Sequence, residues 1–352
     1  MFHNLNKIVP LQLFFAAIAL FLSPTAPASA AEVSATLSPA VYEVKVPEFT
    51  PIVYARSVAA FFRAYEKSSG QPIKKGAKGK VGIKVYTNSG AGLSTPTALV
   101  DAVIDQLLRR GYERKDITIV DMSRRKLREA GFLPKRSQLQ AGVADDYKGV
   151  AVADIDSRKF FDSRWYYDNP LPPQSVRGAT STDIYNPELR KSYLPVPLFL
   201  SVDFWINLPM ITDMEGLGVC AAIGNSSIWN MSNNERFLRS PANASMAAAE
   251  VCSIPELKDS NLFTILTLEK GQFVGGAIFN SRCTFTENAI LMSANPVALD
   301  FIAWELINKY RSFYKFDKID PMPALLNYCK ELKIGDWDPR SYERVILPIR
   351  AR

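Results

Sequence analysis

The sequence predicts an α/β protein, a mostly parallel sheet flanked by helices, with a long irregular insertion rich in aromatic residues and proline. Three observations carry that expectation. Val81 to Tyr86 and Asp116 to Val120 are short apolar runs separated by an amphipathic helix pattern, the strand–crossover–strand unit of a parallel sheet. Apolar runs recur at Val202 to Leu208, Leu262 to Leu268 and Ala289 to Met292, alternating with helical segments. Between Asp154 and Leu200 both periodicities fail, and Trp165, Tyr166, Tyr167 and prolines 170, 172, 173, 187, 195 and 197 crowd together.

Each element has a local reason. Tyr42 to Val46 alternates, with Tyr42, Val44 and Val46 on one side and Glu43 and Lys45 on the other. Ala55 to Lys67 places Val58, Phe61, Phe62 and Tyr65 on one helical face. The Gly/Lys segment 74–80 reads as a loop. After the strand Val81 to Tyr86, Thr95-Pro96 opens a helix, proline suiting a first turn. Leu99, Val103, Ile104, Leu107 and Leu108 form its stripe and Gly111 ends it. Later helices are expected over Ala242 to Cys252, from Asn295-Pro296 to Lys309, and over Pro323 to Leu332.

The 352 residues, 47% hydrophobic and 22% charged, exclude a disordered, collagenous or coiled-coil chain. Residues 1–30 read as a secretory signal peptide: Lys7, the apolar run Ile8 to Leu22, and the small-x-small site Ala28-Ser29-Ala30. The expectation is therefore an exported, periplasmic or extracellular α/β domain over 31–352, with no transmembrane anchor after cleavage. No Arg-Arg pair precedes the apolar run, which points to a Sec-type route.

His3 is the single histidine and lies in that leader. A mature chain without histidine excludes Ser-His-Asp and Cys-His nucleophile systems, HExxH zinc sites and histidine-ligated haem. Cys220, Cys252, Cys283 and Cys329 contain no CxxC, so neither zinc nor an iron–sulfur cluster is expected. Export permits two disulfides among them; small buried residues are the equal alternative. Without Lys7 the charge balance is 41 basic to 35 acidic residues. The excess sits in Lys74 to Lys80, Arg109-Arg110 with Arg114-Lys115, and Arg124 to Lys126 with Arg128. For an exported protein these suit small anions or anionic envelope components rather than nucleic acid, or are simply solvated faces.

In open α/β sheets ligands bind beyond the carboxyl ends of the strands. The loop holding Asn88, Ser89, Gly90, Gly92, Ser94 and Thr95 offers N–H groups at a helix start, either an anion site or an ordinary βα turn. It is not a P-loop or a GxGxxG. Lys84 faces away from Val81, Ile83 and Val85, to reach an anion or to serve as a structural lysine. Asp121 follows its strand as a ligand contact or as the N-cap of a helix over 122–130. Asp213 and Glu215 are candidate bases or surface turn residues.

These segments, in this order, resemble the bacterial and archaeal family numbered 362 among the domains of unknown function. The resemblance rests on Val81-Gly82-Ile83-Lys84, Asp116 to Asp121, Trp205-Ile206-Asn207-Leu208-Pro209, Gly218 to Asn225, and Met292 to Asp300. It covers residues 80–310, with Leu332 to Trp337 as a closing segment. The family usually carries a Lys-x-His where this chain has Thr212-Asp213-Met214, and a Lys-Asn where it has Gly224-Asn225. What survives is Lys84, Asp121, Asn207, Asn225 and Asp300, the last lining a pocket or stabilising its helix. Some relatives carry ferredoxin-type modules, which this chain lacks. Two functions follow: a protein binding a small anionic ligand or envelope partner at the strand carboxyl ends, or a histidine-independent enzyme using Lys84 with Asp213, Glu215 or Asp300.

Overall fold

Val81–Val85, Ile117–Asp121 and Ala151–Asp154 are short strands with almost every side chain buried, as expected of a parallel sheet covered on both faces. The computed structural model describes residues 40–157, 159–169, 187–238 and 241–349. The first half of the chain holds β1 (Ala40–Lys45), α1 (Pro51–Ser69), β2 (Val81–Val85), α2 (Thr97–Leu108), β3 (Ile117–Asp121), α3 (Arg124–Glu129), α4 (Arg136–Gln140) and β4 (Ala151–Asp154). Then come β5 (Phe161–Asp168), β6 (Lys191–Pro195), α5 (Val196–Phe199), β7 (Phe204–Leu208), β8 (Ile211–Met214), β9 (Gly218–Cys220), α6 (Ala222–Ser226) and α7 (Glu235–Leu238). The last third holds α8 (Pro241–Ser253), α9 (Pro255–Lys258), β10 (Asn261–Thr267), β11 (Gly271–Gln272), β12 (Thr284–Phe285), β13 (Ala289–Ser293), α10 (Pro296–Phe313), α11 (Ala324–Glu331) and β14 (Glu343–Ile346).

Eight strands form the main sheet in the order β14-β1-β13-β10-β7-β2-β3-β4. The block β10-β7-β2-β3-β4 is parallel throughout, and β13 is antiparallel to both of its neighbours. From β2 the chain moves outward to β3 and β4, then returns to place β7 on the other flank of β2. That reversal is a topological switch point.

The α1 helix begins where Thr50 accepts from the Val53 N–H, has proline at its first position, and ends at Gly70 with φ of +66°. It lays Phe61, Phe62 and Tyr65 on one face of the sheet beside the α2 stripe. Each such side chain contributes about 1.5–3 kcal/mol on burial. On the opposite face Val120, Ala153 and Trp205 pack against α5, α8 and α11. Gly82 permits that contact: a Cβ there would sit 2.4 Å from Leu198 Cδ2.

Within the 154–200 insertion the structure adds order that the sequence pattern did not show. The strands β5 and β6 pair antiparallel, with Phe161 stacked on Tyr193; residues 170–186, with prolines 170, 172 and 173, lie outside the described set. A second sheet, β12-β11-β8-β9, was also not anticipated, because its strands are two to four residues long and carry no period. The leader lies outside the described residues. Among those described, no helix is long and apolar enough to cross a membrane.

The disulfide alternative is corrected. Cys220, Cys252, Cys283 and Cys329 are all buried free thiols. Burial pushes the Cys220 thiol up to about 12, which keeps it protonated and inert.

Candidate functional site

Two polar assemblies occupy opposite ends of the sheet. At the switch point, Lys84, Asn207, Thr264 and Ser293 are register partners on four adjacent strands, so their side chains share one face. All four are 0% exposed. The three ammonium protons of Lys84 meet Asp121 Oδ1 at 2.6 Å, the Val85 carbonyl at 2.8 Å and Asn225 Oδ1 at 3.1 Å. Asn225 donates to Asn207 Oδ1 at 2.8 Å, and Asn207 donates to Ser226 Oγ at 3.0 Å and to the Ala222 carbonyl at 2.9 Å. Asp121 Oδ2 accepts from the Thr87 N–H at 2.7 Å and from its hydroxyl at 2.5 Å.

A single hydrogen-bonded chain thus runs from Thr87 through Asp121, Lys84, Asn225 and Asn207 to Ser226. It brings together four of the five positions singled out by the family resemblance. Burial pulls the Lys84 ammonium down and the Asp121 charge opposes that pull. The ion pair leaves no donor of Lys84 unengaged.

Asp121 does not cap the following helix, which is a correction. Helix α3 starts later, with Ser123 at the cap position, while Asp121 points to Lys84 and Thr87. Asp300, also fully buried, accepts from the Ala222 and Ile223 N–H groups at 2.5 and 3.2 Å and so tethers the start of α6 to α10. Burial raises its carboxyl to about 8, against the lowering effect of those two bonds.

The remaining predicted positions are scattered. Asp213, on β8, accepts from Arg311 at 2.8 Å and from the Gly276 N–H at 2.9 Å; Glu215 is exposed in the turn that follows. No hydrogen bond or ion pair among the described residues joins either to Lys84. In the loop after β2, the N–H groups of Thr87, Gly90, Leu93 and Thr95 are taken by the chain itself. Thr95 Oγ1 accepts from the Tyr86 N–H and donates to the Leu208 carbonyl, Ser94 donates to the Gly90 carbonyl, and Ser89 bonds the Tyr86 hydroxyl. Asn88 is part-buried, and its Nδ2 is buried without a partner. Gly92 faces Phe279 so closely that a Cβ would lie 2.3 Å from the ring. These bonds close part of the loop on itself.

An open cleft of about 690 Å³ lies at the other end of the strands. Asp203 and Phe204 at the start of β7, Asn261 and Leu262 at the start of β10, and Ala294 and Asn295 just past β13 line it. Tyr42, Tyr65 and Met292 line it from one face of the sheet and Trp205 from the other. Burial raises the Tyr65 hydroxyl to about 12, so it remains a neutral donor. Ser226, the last member of the buried chain, also borders this cleft.

Lys74, Lys258 and Lys333 stand on the cleft lining, and no carboxylate pairs with them among the described residues. Asp203 is occupied by the Gly76 and Lys78 N–H groups at 2.9 and 2.8 Å, and Asp336 by Lys330 at 2.9 Å. Asp259 also lines the cleft and forms no ion pair among the described residues. Sequence reasoning missed this site. Its signal was the basic loop 74–80, whose place at a strand's amino end is legible once Val81 is taken as a strand start. Among the described residues no group of three His, Cys, Asp or Glu side chains is placed to hold a metal ion.

No family model and no curated protein matches this chain. A crystal structure of a protein from Thermotoga maritima, a Northeast Structural Genomics Consortium target, is similar at a TM-score of 0.29 and 11% identity. The match covers 63% of this chain and 51% of that one, so the chain spans about half the length of that protein.

Proposed function

We propose that the protein binds a small anionic molecule with a flat or apolar face, and that it does so in the cleft at the amino-terminal ends of β7 and β10. The observation that carries this reading is a cleft lined by Tyr42, Tyr65 and Trp205 together with Lys74, Lys258 and Lys333, which have no carboxylate partner among the described residues. Ligand pockets commonly span about 300–1,000 Å³ and pair an apolar lining with a few polar anchors. The exported address, resting on Ile8 to Leu22 and Ala28-Ser29-Ala30, belongs to the same proposal and makes envelope anions the relevant pool.

The catalytic alternative built on Lys84 draws less support. An acid–base group must reach a substrate proton, and Lys84 is fully buried with all three protons engaged. Asp213 is spent on Arg311.

The test is a thermal-shift titration with galacturonate, using galactose as the neutral control. A bound ligand raises the melting temperature by mass action. Galacturonate is expected to raise it in the wild type and not in Lys258→Glu/Lys333→Glu; an equal rise in that variant places the site elsewhere and overturns the reading.

A further inference from the structure

Among the described residues ten large apolar side chains stay exposed, and three of them meet at one point. Phe313, Tyr314 and Phe316, which are 75%, 50% and 44% exposed, lie together at the end of α10. Buried Phe273 is their common base. Tyr314 stacks flat on it at 5.1 Å, Phe316 meets it edge-on at 5.8 Å, and Phe313 stands edge-on to Tyr314 at 4.9 Å. Arg311 clamps the turn, donating to the Phe273 carbonyl at 2.8 Å, the Asp317 carbonyl at 2.9 Å and Asp213 at 2.8 Å. The three rings thus form one contiguous, tethered surface.

The way α10 stops is a second observation. The Phe316 N–H bonds the Arg311 carbonyl at 2.8 Å and the Lys315 N–H bonds the Ser312 carbonyl at 3.2 Å, the paired bonds that close many helices. Such an end needs a left-handed residue, most often glycine; here it is Lys315, at φ of +62°. A lysine is strained in that conformation, and it sets an exposed cation between Tyr314 and Phe316 in the chain.

Size and composition select the occupant. The three rings leave about 350 Å² in water, less than half of the roughly 800 Å² each partner buries in a stable protein pair. Protein interfaces also disfavour lysine, whereas Lys309, Lys315 and Lys318 flank these rings. Aromatic rings interspersed with lysine suit a membrane surface, where rings enter the acyl boundary and ammonium heads stay among the headgroups. Lys309 pairs with Glu287, and Asp317 and Asp320 lie in the same stretch, so the rings carry most of the affinity.

We propose that the aromatic end of α10 is a lipid-docking tip, by which the protein rests reversibly on a bilayer surface. The helix has 18 residues, about 27 Å at the usual rise. Its other end carries Asn295 and Pro296, which line the cleft. A protein seated by its tip therefore keeps that cleft wall a helix length from the contact. The proposal does not depend on what the cleft binds.

Co-sedimentation with vesicles of phosphatidylcholine, alone and mixed with phosphatidylglycerol, tests this. The wild-type protein should partition onto both, and severalfold more strongly onto the anionic mixture. Phe313→Ser/Phe316→Ser should lower partitioning by about tenfold or more, with circular dichroism and any galacturonate response as in the wild type. Phe313→Ser alone, at the most exposed ring, should act in the same direction. Lys315→Gly should raise the melting temperature by relieving the left-handed lysine, and should reduce the preference for the anionic mixture. Val143→Ser, at an exposed apolar residue in the connection to β4, should change nothing. No vesicle binding, or binding that survives both ring variants, overturns the tip. Binding lost equally in Val143→Ser overturns it too, as general stickiness. Self-association of the wild type that disappears in Phe313→Ser/Phe316→Ser, without vesicle binding, assigns the patch to a second copy and overturns the lipid assignment. An anionic preference unchanged in Lys315→Gly overturns the part given to that lysine.

Discussion

The two ends of the central sheet draw on the same residue types, lysine, aspartate and asparagine, and use them in opposite ways. At the carboxyl-terminal end Lys84, Asp121, Asn225 and Asn207 are sealed under α6 and satisfy one another. At the amino-terminal end Lys74, Lys258 and Lys333 line an open cleft and pair with no carboxylate among the described residues. A buried ionic network holds a fold in register; an exposed set of cations keeps bonding capacity that, in the proposal above, an anion takes up. The difference teaches that chemistry-bearing residue types mark a site only where some of their bonding capacity is left over.

The largest expected effect comes from breaking the sealed end. Lys84→Met leaves Asp121 buried without its cation, which costs about 3–5 kcal/mol. Lys84→Met/Asp121→Leu should lose less than the sum of its single variants, because no orphan charge remains. Urea unfolding measures both. A Lys84→Met protein with unchanged midpoint would show that the pair is not structural, and would return Lys84 to the functional candidates.

A smaller loss follows at the wall of the cleft. Asn295 caps α10 by accepting from the Val297 and Ala298 N–H groups and also donates to the Asp336 carbonyl beside the cleft. Asn295→Ala should cost about 1 kcal/mol and weaken galacturonate binding by loosening that cleft wall. Unfolding and titration of the same sample would separate the two effects, and an unaltered affinity would uncouple the cap from the cleft.

Asp300 sharpens the contrast through pH. Its carboxyl is raised from 3.8 to about 8, so the folded state holds a proton that the unfolded chain releases. The stabilisation from that proton is complete below the unfolded value, declines across the interval between the two values, and is lost as pH passes about 8. Relative to the wild type, Asp300→Asn should show a flatter fall in melting temperature over that interval. Parallel curves for the two proteins would dismiss the shift. Weakest of all in stability terms are Lys258→Glu and Lys333→Glu, which should stay within about 0.5 kcal/mol of wild type because neither side chain has a carboxylate partner among the described residues.

Much of the scaffold was legible from pattern. The β-branched runs at 81–86 and 116–120, the Asn295-Pro296 helix start and the apolar stripe from Leu99 to Leu107 all have local causes, and the structure places elements there. The second sheet was not legible, since β11 and β12 are two residues each and exist only through pairing. Nor was the role of Asp121: a carboxylate after a strand looks like a cap until Lys84 arrives from the neighbouring strand. The cleft escaped for a related reason. Its walls come from residues 40–74, 203–205, 252–262 and 292–336, and no single window of sequence contains them. The strand-end rule directed attention to the loop at 87–95, where the N–H groups of Thr87, Gly90, Leu93 and Thr95 are bonded within the chain.

The most direct measurement is backbone hydrogen exchange with and without galacturonate. The account predicts added protection at 203–205, 258–262 and 333–336, with the loop at 87–95 unchanged. Protection confined to 87–95, with the cleft segments unchanged, would contradict it and move the binding site to the carboxyl-terminal end of the sheet.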